Sequence, residues 1–220
     1  LDGELSRLPT TYYTSTSGVG RALETRHPST IPIKVSVIGL GTGTLATYGA
    51  KSDVYRFYEI NPAVLEIAQR DFTFLRDSDA TIELALGDAR LSLERERSQA
   101  FDVLVIDAFS SDAIPVHLIT TEALAIYRRH MQPGGIIAFH VTNRFLNLIP
   151  VVEGLAHVHG LFMIHIADEA EDSRGSRSDW LLLSDRREVL DHPELAVAAT
   201  EVEVRKDWRL WTDDFNNLFQ

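Results

Sequence analysis

Apolar and polar positions along the chain switch between two rhythms. From Ile33 onward, short runs rich in Val, Ile, Leu and Phe read as strands at 34–40 (KVSVIGL), 53–60 (DVYRFYEI), 80–87 (ATIELALG), 101–108 (FDVLVIDA) and 134–141 (GGIIAFHV). Helical stretches fall between them: one after Thr44, one through NPAVLEIAQRDF with Pro62 suited to a first turn, one from Asp88, and one through TTEALAIYRRHM that QPGG at 132–135 stops. Strands alternating with helices predict an α/β fold with a mostly parallel sheet covered on both faces. Two further runs, 161–167 and 179–184, predict an antiparallel hairpin at the carboxyl-terminal edge, joined by a polar turn at 167–179.

The flanks follow neither rhythm. Residues 1–32 contain TTYYTSTSGVGRALETR, in which Gly18 and Gly20 read as turn residues, so a short β-hairpin or arm is expected there. Residues 33–190 form the expected central domain, and 191–220 a tail anchored by Trp208 and Trp211.

Composition narrows the choices. The chain has 220 residues, 45% hydrophobic and 24% charged, an ordinary globular profile. Its net charge of -11, with 21 basic residues scattered among 32 acids, argues against a nucleic-acid partner and suits a cationic ligand. No cysteine is present, which removes disulfides, thiolate metal sites and cysteine nucleophiles. The eight histidines show no metal-ligand spacing, so no metal is expected. No apolar run is long enough to span a membrane; the longest candidate, 146–166, is interrupted by Glu153 and several His. The chain begins at Leu1 and not at Met, as a piece of a longer protein would.

In an open parallel sheet, ligands bind beyond the carboxyl ends of the strands. Four successive strands here end in Gly39-Leu40-Gly41-Thr42-Gly43, in Glu59, in Asp88 and in Asp107, with Asp112 following. Glycines between strand and helix let the backbone approach a ligand closely, and Glu59, twenty residues past Gly39, suits a ribose diol. The third glycine of a dinucleotide fingerprint would fall at Thr44, so the spacing favours an S-adenosylmethionine-type site over NAD, with Asp88 suited to an adenine amino group. Asp107 ends an apolar strand among other acids, and Asp112 suits either a working carboxylate or a cap for the turn after Pro115.

The ordered set GLGTG, YEINP, GDAR, FDVLVIDAFSSDAIPVHLITTEAL and MQPGG resembles the spermidine synthase (polyamine aminopropyltransferase) family. The likeness is greatest to the spermidine synthase-like domains attached to bacterial membrane segments, whose flanks TYYTSTSGVGRAL, HVTNRFLNL and LWTDDFNNL are similar. It runs from about Tyr12 to Leu218. The resemblance implies a Rossmann-like, methyltransferase-type fold and transfer of an aminopropyl group from decarboxylated S-adenosylmethionine to a small amine such as a polyamine. Gly39, Gly41 and Gly43 would line the co-substrate, Glu59 hold its ribose, Asp88 and Ala89 its adenine, and Asp107 act as the catalytic acid, with Asp112 as the second.

Two departures stand out. The family's glycine loop carries an Asp where Thr42 stands, which keeps ordinary S-adenosylmethionine and a methyltransferase open as an alternative, beside a non-catalytic nucleoside-binding module. The family's β-rich amino-terminal domain is also longer than residues 1–32, which leaves Tyr12, Tyr13 and Ser17 as candidate walls of the acceptor pocket. Asp213 and Asp214 read as a solvated tail rather than as charge over the site, and His140 and Asn143, ending the fifth strand, suit the border of the pocket, with a core position an equal reading for His140. Related enzymes are often dimers, so a homodimer is implied, and an intracellular co-substrate implies the cytoplasm, including the cytoplasmic side if the chain is a membrane protein's domain.

Overall fold

A computed structural model describes residues 7–26, 31–109, 114–143, 146–169, 174–201 and 209–215. In chain order the elements are α1 (Gly18–Arg26), β1 (Lys34–Ile38), a 3-10 turn (Thr44–Tyr48), β2 (Val54–Glu59), α2 (Pro62–Asp71), α3 (Phe74–Asp77), β3 (Thr81–Leu86), α4 (Ala89–Arg95) and β4 (Phe101–Ile106). A second 3-10 turn (Val116–Leu118) leads to α5 (Thr121–Arg129), β5 (Met131–His140), α6 (Ile149–Val158), β6 (Phe162–Asp168), β7 (Ser178–Ser184), α7 (Arg187–Leu190), α8 (Pro193–Ala196) and β8 (Ala199–Thr200).

All eight strands form one sheet in the order β3-β2-β1-β4-β5-β7-β6-β8. Strands β1 to β5 are parallel, and β7 adds to β5 antiparallel as the first strand of the edge hairpin. Period-two alternation sorts the core onto two faces. Val35, Val37, Val103 and Val105 pack with α1 and Trp180 on one face, while Ile38, Leu104, Ile106 and Phe139 pack with Leu93, Leu124 and Leu155 of α4, α5 and α6 on the other. Strand order reverses between β1 and β4, which opens a crevice beyond their carboxyl ends.

The expected hairpin at the amino terminus is instead a helix. Ser17 starts α1: its hydroxyl accepts the Gly20 N–H at 3.1 Å, as an N-cap does. Gly18 and Gly20 are not turn residues but points of contact. A Cβ on Gly18 would stand 2.4 Å from the Cβ of Trp180, and one on Gly20 would stand 2.2 Å from the Thr14 carbonyl. The helix expected after Thr44 is only the 3-10 turn, and α6 was not anticipated. Its sequence, IPVVEGLAHV, is apolar on most sides because it lies over the sheet, with Val152 and Leu155 fully buried. In the tail Trp211 is buried at 3% exposure, whereas Trp208 lies outside the described residues.

Candidate active site

The strand ends and the arm enclose a cleft of about 1170 Å³. Of the residues singled out in the sequence, Tyr12, Tyr13, Gly39, Gly41, Glu59, Asp88, Ala89 and Asp107 line it. Gly43 does not; its φ of +84° turns the chain into the 3-10 turn, and a Cβ there would meet Leu75 at 2.8 Å. Ser17 does not line it either, being fully buried at the start of α1. Asp112 lies outside the described residues.

Several of the lining groups suit a nucleoside. The β1 end is pressed against the β4 end so closely that a Cβ on Gly39 would lie 2.5 Å from the Asp107 carbonyl oxygen, and the φ of Gly39 is +97°. Gly41 faces open space, with nothing within 4 Å of the place a Cβ would take. Glu59 is clasped from two sides: one carboxylate oxygen accepts the Leu40 N–H at 3.0 Å and the other the Asn61 N–H at 2.8 Å. Those bonds aim the carboxylate and leave each oxygen a second lone pair for a diol. Asp88 caps α4 by accepting the Leu91 N–H at 2.8 Å, and its other oxygen lies 3.1 Å from Nε2 of His117, which also lines the cleft.

Next to Gly39, the Asp107 side chain is 7% exposed and engaged on both oxygens. Tyr13 Oη donates to Oδ2 at 2.6 Å, and His140 Nδ1 lies 2.6 Å from Oδ1. Burial, with the Asp107 charge adding to it, pushes the Tyr13 hydroxyl well above its ordinary range, so it remains a donor. His140 is itself 3% exposed, stacked on Trp180 at 4.3 Å between ring centres, with Phe109 edge-on at 5.0 Å and Tyr12 at 5.3 Å. Its Nε2 lies 2.8 Å from the hydroxyl of Thr142, which accepts the Asp179 N–H at 2.8 Å. Asp179 also lines the cleft, and a hydrogen bond from His165 holds its carboxyl below the usual carboxylate range.

Thr142, Asp179 and His117 were not anticipated as lining residues. Asp179 begins the apolar run DWLLLS, so its only signal was an acid at a strand start, and β7, antiparallel to β5, carries its start to the rim where β1 to β5 carry their ends. The tail acid Asp213 is exposed but not free: Arg90 grips both of its oxygens, at 2.7 and 2.5 Å, and the Thr120 hydroxyl donates to it at 2.9 Å. Among the described residues no group of three or more His, Asp and Glu side chains is arranged to hold a metal ion.

Fold and cleft together define an α/β protein of the spermidine synthase, methyltransferase-like architecture. The chain superimposes on a probable spermidine synthase from Corynebacterium glutamicum with a TM-score of 0.62 at 18% identity, over 90% of this chain and 70% of that one. For spermidine synthase from Thermotoga maritima the TM-score is 0.55 at 17% identity, over 88% and 66%. In sequence, about half of the chain is similar to polyamine aminopropyltransferases. It is 31% identical to that of Vibrio vulnificus over 121 residues, 52% of this chain and 38% of the relative. It is 28% identical to a probable polyamine aminopropyl transferase of Bifidobacterium longum over 109 residues, 48% of this chain and 23% of the relative. The chain thus matches well under half the length of these curated relatives. No family model matches it.

Proposed function

We propose that the cleft binds an adenosyl sulfonium and transfers its aminopropyl group to a small amine. The observation that carries this reading is that Gly39, Gly41, Glu59, Asp88 and Asp107, from four successive strand ends, all line a single cleft. Gly41 gives the backbone open approach to the donor, Glu59 receives the ribose hydroxyls, and Asp88 with Ala89 receives the adenine. Decarboxylated S-adenosylmethionine supplies a leaving group that is already activated, so the chain's task is to hold a nucleophile in line and manage its proton. The amine nitrogen forms the new bond to the propyl carbon, the carbon–sulfur bond breaks with its electron pair going to sulfur, and methylthioadenosine leaves. Asp107 attracts and orients a cationic acceptor, with the rings of Tyr12 and Phe109, which pack on His140, also lining the cleft.

A second donor is favoured by one observation. Thr42 stands in the glycine loop with its hydroxyl 2.9 Å from that of Thr44, and no carboxylate from the loop repels the carboxylate of ordinary S-adenosylmethionine. Mass spectrometry of the protein with either donor and a panel of diamines separates the readings. Methylthioadenosine and an aminopropylated amine support the first, S-adenosylhomocysteine a methyltransferase, and tight methylthioadenosine binding without any turnover a nucleoside-binding module. The aminopropyl reading brings with it a cytoplasmic setting, where its donor is made, and the homodimer implied by the family, which light scattering of the purified protein checks. No helix among the described residues is long and apolar enough to cross a membrane.

A further inference from the structure

The hydrogen bonds around His140 run in one direction. Asp107 as a carboxylate only accepts, so Nδ1 of His140, 2.6 Å away, carries the proton between them. A neutral imidazole then has a bare Nε2, and the group 2.8 Å from it, the Thr142 hydroxyl, must be the donor. Thr142 is free to donate because its oxygen already accepts the Asp179 N–H at 2.8 Å. Tyr13 completes the chain from the other side by donating to Oδ2 of Asp107. Of the two neutral tautomers of His140, only the one protonated on Nδ1 satisfies every link.

This order has a chemical consequence. Each oxygen of Asp107 already accepts from a protein donor and the carboxylate is 7% exposed, so burial makes it the less accessible group for collecting a proton. An acceptor that arrives as an ammonium ion must lose a proton before it attacks, and an imidazole is a better-matched base for it than a carboxylate. Thr142 is only partly buried, lines the cleft and has one lone pair left.

We propose that Asp107, His140 and Thr142 form a proton relay in which His140 is the base and the Thr142 hydroxyl is its contact with the acceptor. An ammonium N–H bond breaks and an O–H bond forms at Oγ1 of Thr142; the original Thr142 O–H bond breaks and an N–H bond forms at Nε2 of His140. The resulting imidazolium is held between Asp107 and the face of Trp180, and the proton returns to water through Thr142 after the product leaves. Asp107 orients the ring and offsets its charge. This rests on the amine-acceptor reading above and goes beyond it by naming the group that keeps the proton.

Two measurements test it. In turnover with decarboxylated S-adenosylmethionine and a diamine, Thr142→Val and His140→Gln are expected to lower kcat on the order of 100-fold with KM for the donor within about threefold, and Thr142→Ser to restore most of the rate. A His140→Gln variant that binds methylthioadenosine and keeps kcat within about threefold of the parent overturns the relay. Nitrogen–proton correlation spectra of the imidazoles in the parent protein, with methylthioadenosine bound, read the tautomer without any turnover. A protonated Nδ1 and a bare Nε2 on His140 are expected, and the opposite tautomer overturns the relay even if transfer occurs. If the parent transfers nothing to any amine, the proposed function fails while the spectra still decide the hydrogen-bond order. A variant that fails to fold shows as lost methylthioadenosine binding, and the parent's spectra then decide.

Discussion

Replacing Tyr13 by Phe removes one oxygen and leaves the ring in place. That oxygen donates to Asp107 at 2.6 Å, and Asp107 is 7% exposed with His140 as its other partner. A hydrogen bond to a charged group is worth about 1.5–3 kcal/mol, and leaving a buried acceptor short of a donor puts the cost within that range. Asp107 borders the cleft, where water can supply part of the lost bond, so the lower half applies and the expected loss is about 2 kcal/mol. For a chain of this size that corresponds to a fall in Tm of roughly 4–8 °C. Urea denaturation followed by circular dichroism reads the difference. Tyr12→Phe is the control, because Tyr12 is 40% exposed and its hydroxyl bonds to none of the described residues; a change within about 0.5 kcal/mol is expected. If Tyr13→Phe is as stable as Tyr12→Phe, the arm does not support the carboxylate and the argument fails. A matching cycle with Asp107→Asn should show the two positions to be non-additive.

Other consequences follow from the same geometry. Gly39→Ala places a methyl 2.5 Å from the Asp107 carbonyl at a left-handed φ of +97°, so it should cost more than about 2 kcal/mol and abolish methylthioadenosine binding by calorimetry; retained binding would show that the two strand ends can part. His130 is buried with Nε2 on the Leu93 carbonyl at 2.7 Å, and Nδ1 has no partner among the described residues; burial holds its pKa below the ordinary value. The unfolded chain therefore takes up the proton first, at about pH 6.5, and stability should fall as pH drops through that point until the folded value is reached. Urea melts at about pH 7.5 and 5.5 measure this, and His130→Gln should flatten part of the slope, the rest coming from His159, whose pKa burial also lowers. The Arg90–Asp213 clasp should give a coupling of about 1 kcal/mol between Arg90→Ala and Asp213→Asn that shrinks with salt, since Asp213 is 43% exposed; additive effects at low salt would mean the pair contributes nothing.

How much could be read in advance varied with the range of the interaction involved. FDVLVI declares a buried parallel strand because every position except Asp102 faces core, whichever side it points to. Asn61 before Pro62 announces the start of α2, and the structure has the Asn61 side chain accepting the Ala63 N–H. Asp88 was legible as an acid at a strand end, but its second use as the cap of α4 was not separated from it. The arm was misread because Gly18 and Gly20 look like turn residues by local preference. Gly18 makes room for Trp180, far along the chain, and Gly20 for the Thr14 carbonyl and the Tyr48 hydroxyl.

By itself the sequence determined the α/β alternation, the parallel order of elements and the row of glycines and acids at the strand ends, all of which rest on local periodicity and on residues near one another in the chain. Only the tertiary structure decided what Asp107 touches. Tyr13 stands 94 positions before it and His140 33 positions after it, and Thr142 and Asp179 join the network from two different strand ends. No local pattern encodes such pairings, because they exist only once the sheet has brought β4, β5 and β7 side by side and α1 has pinned the arm across their rim.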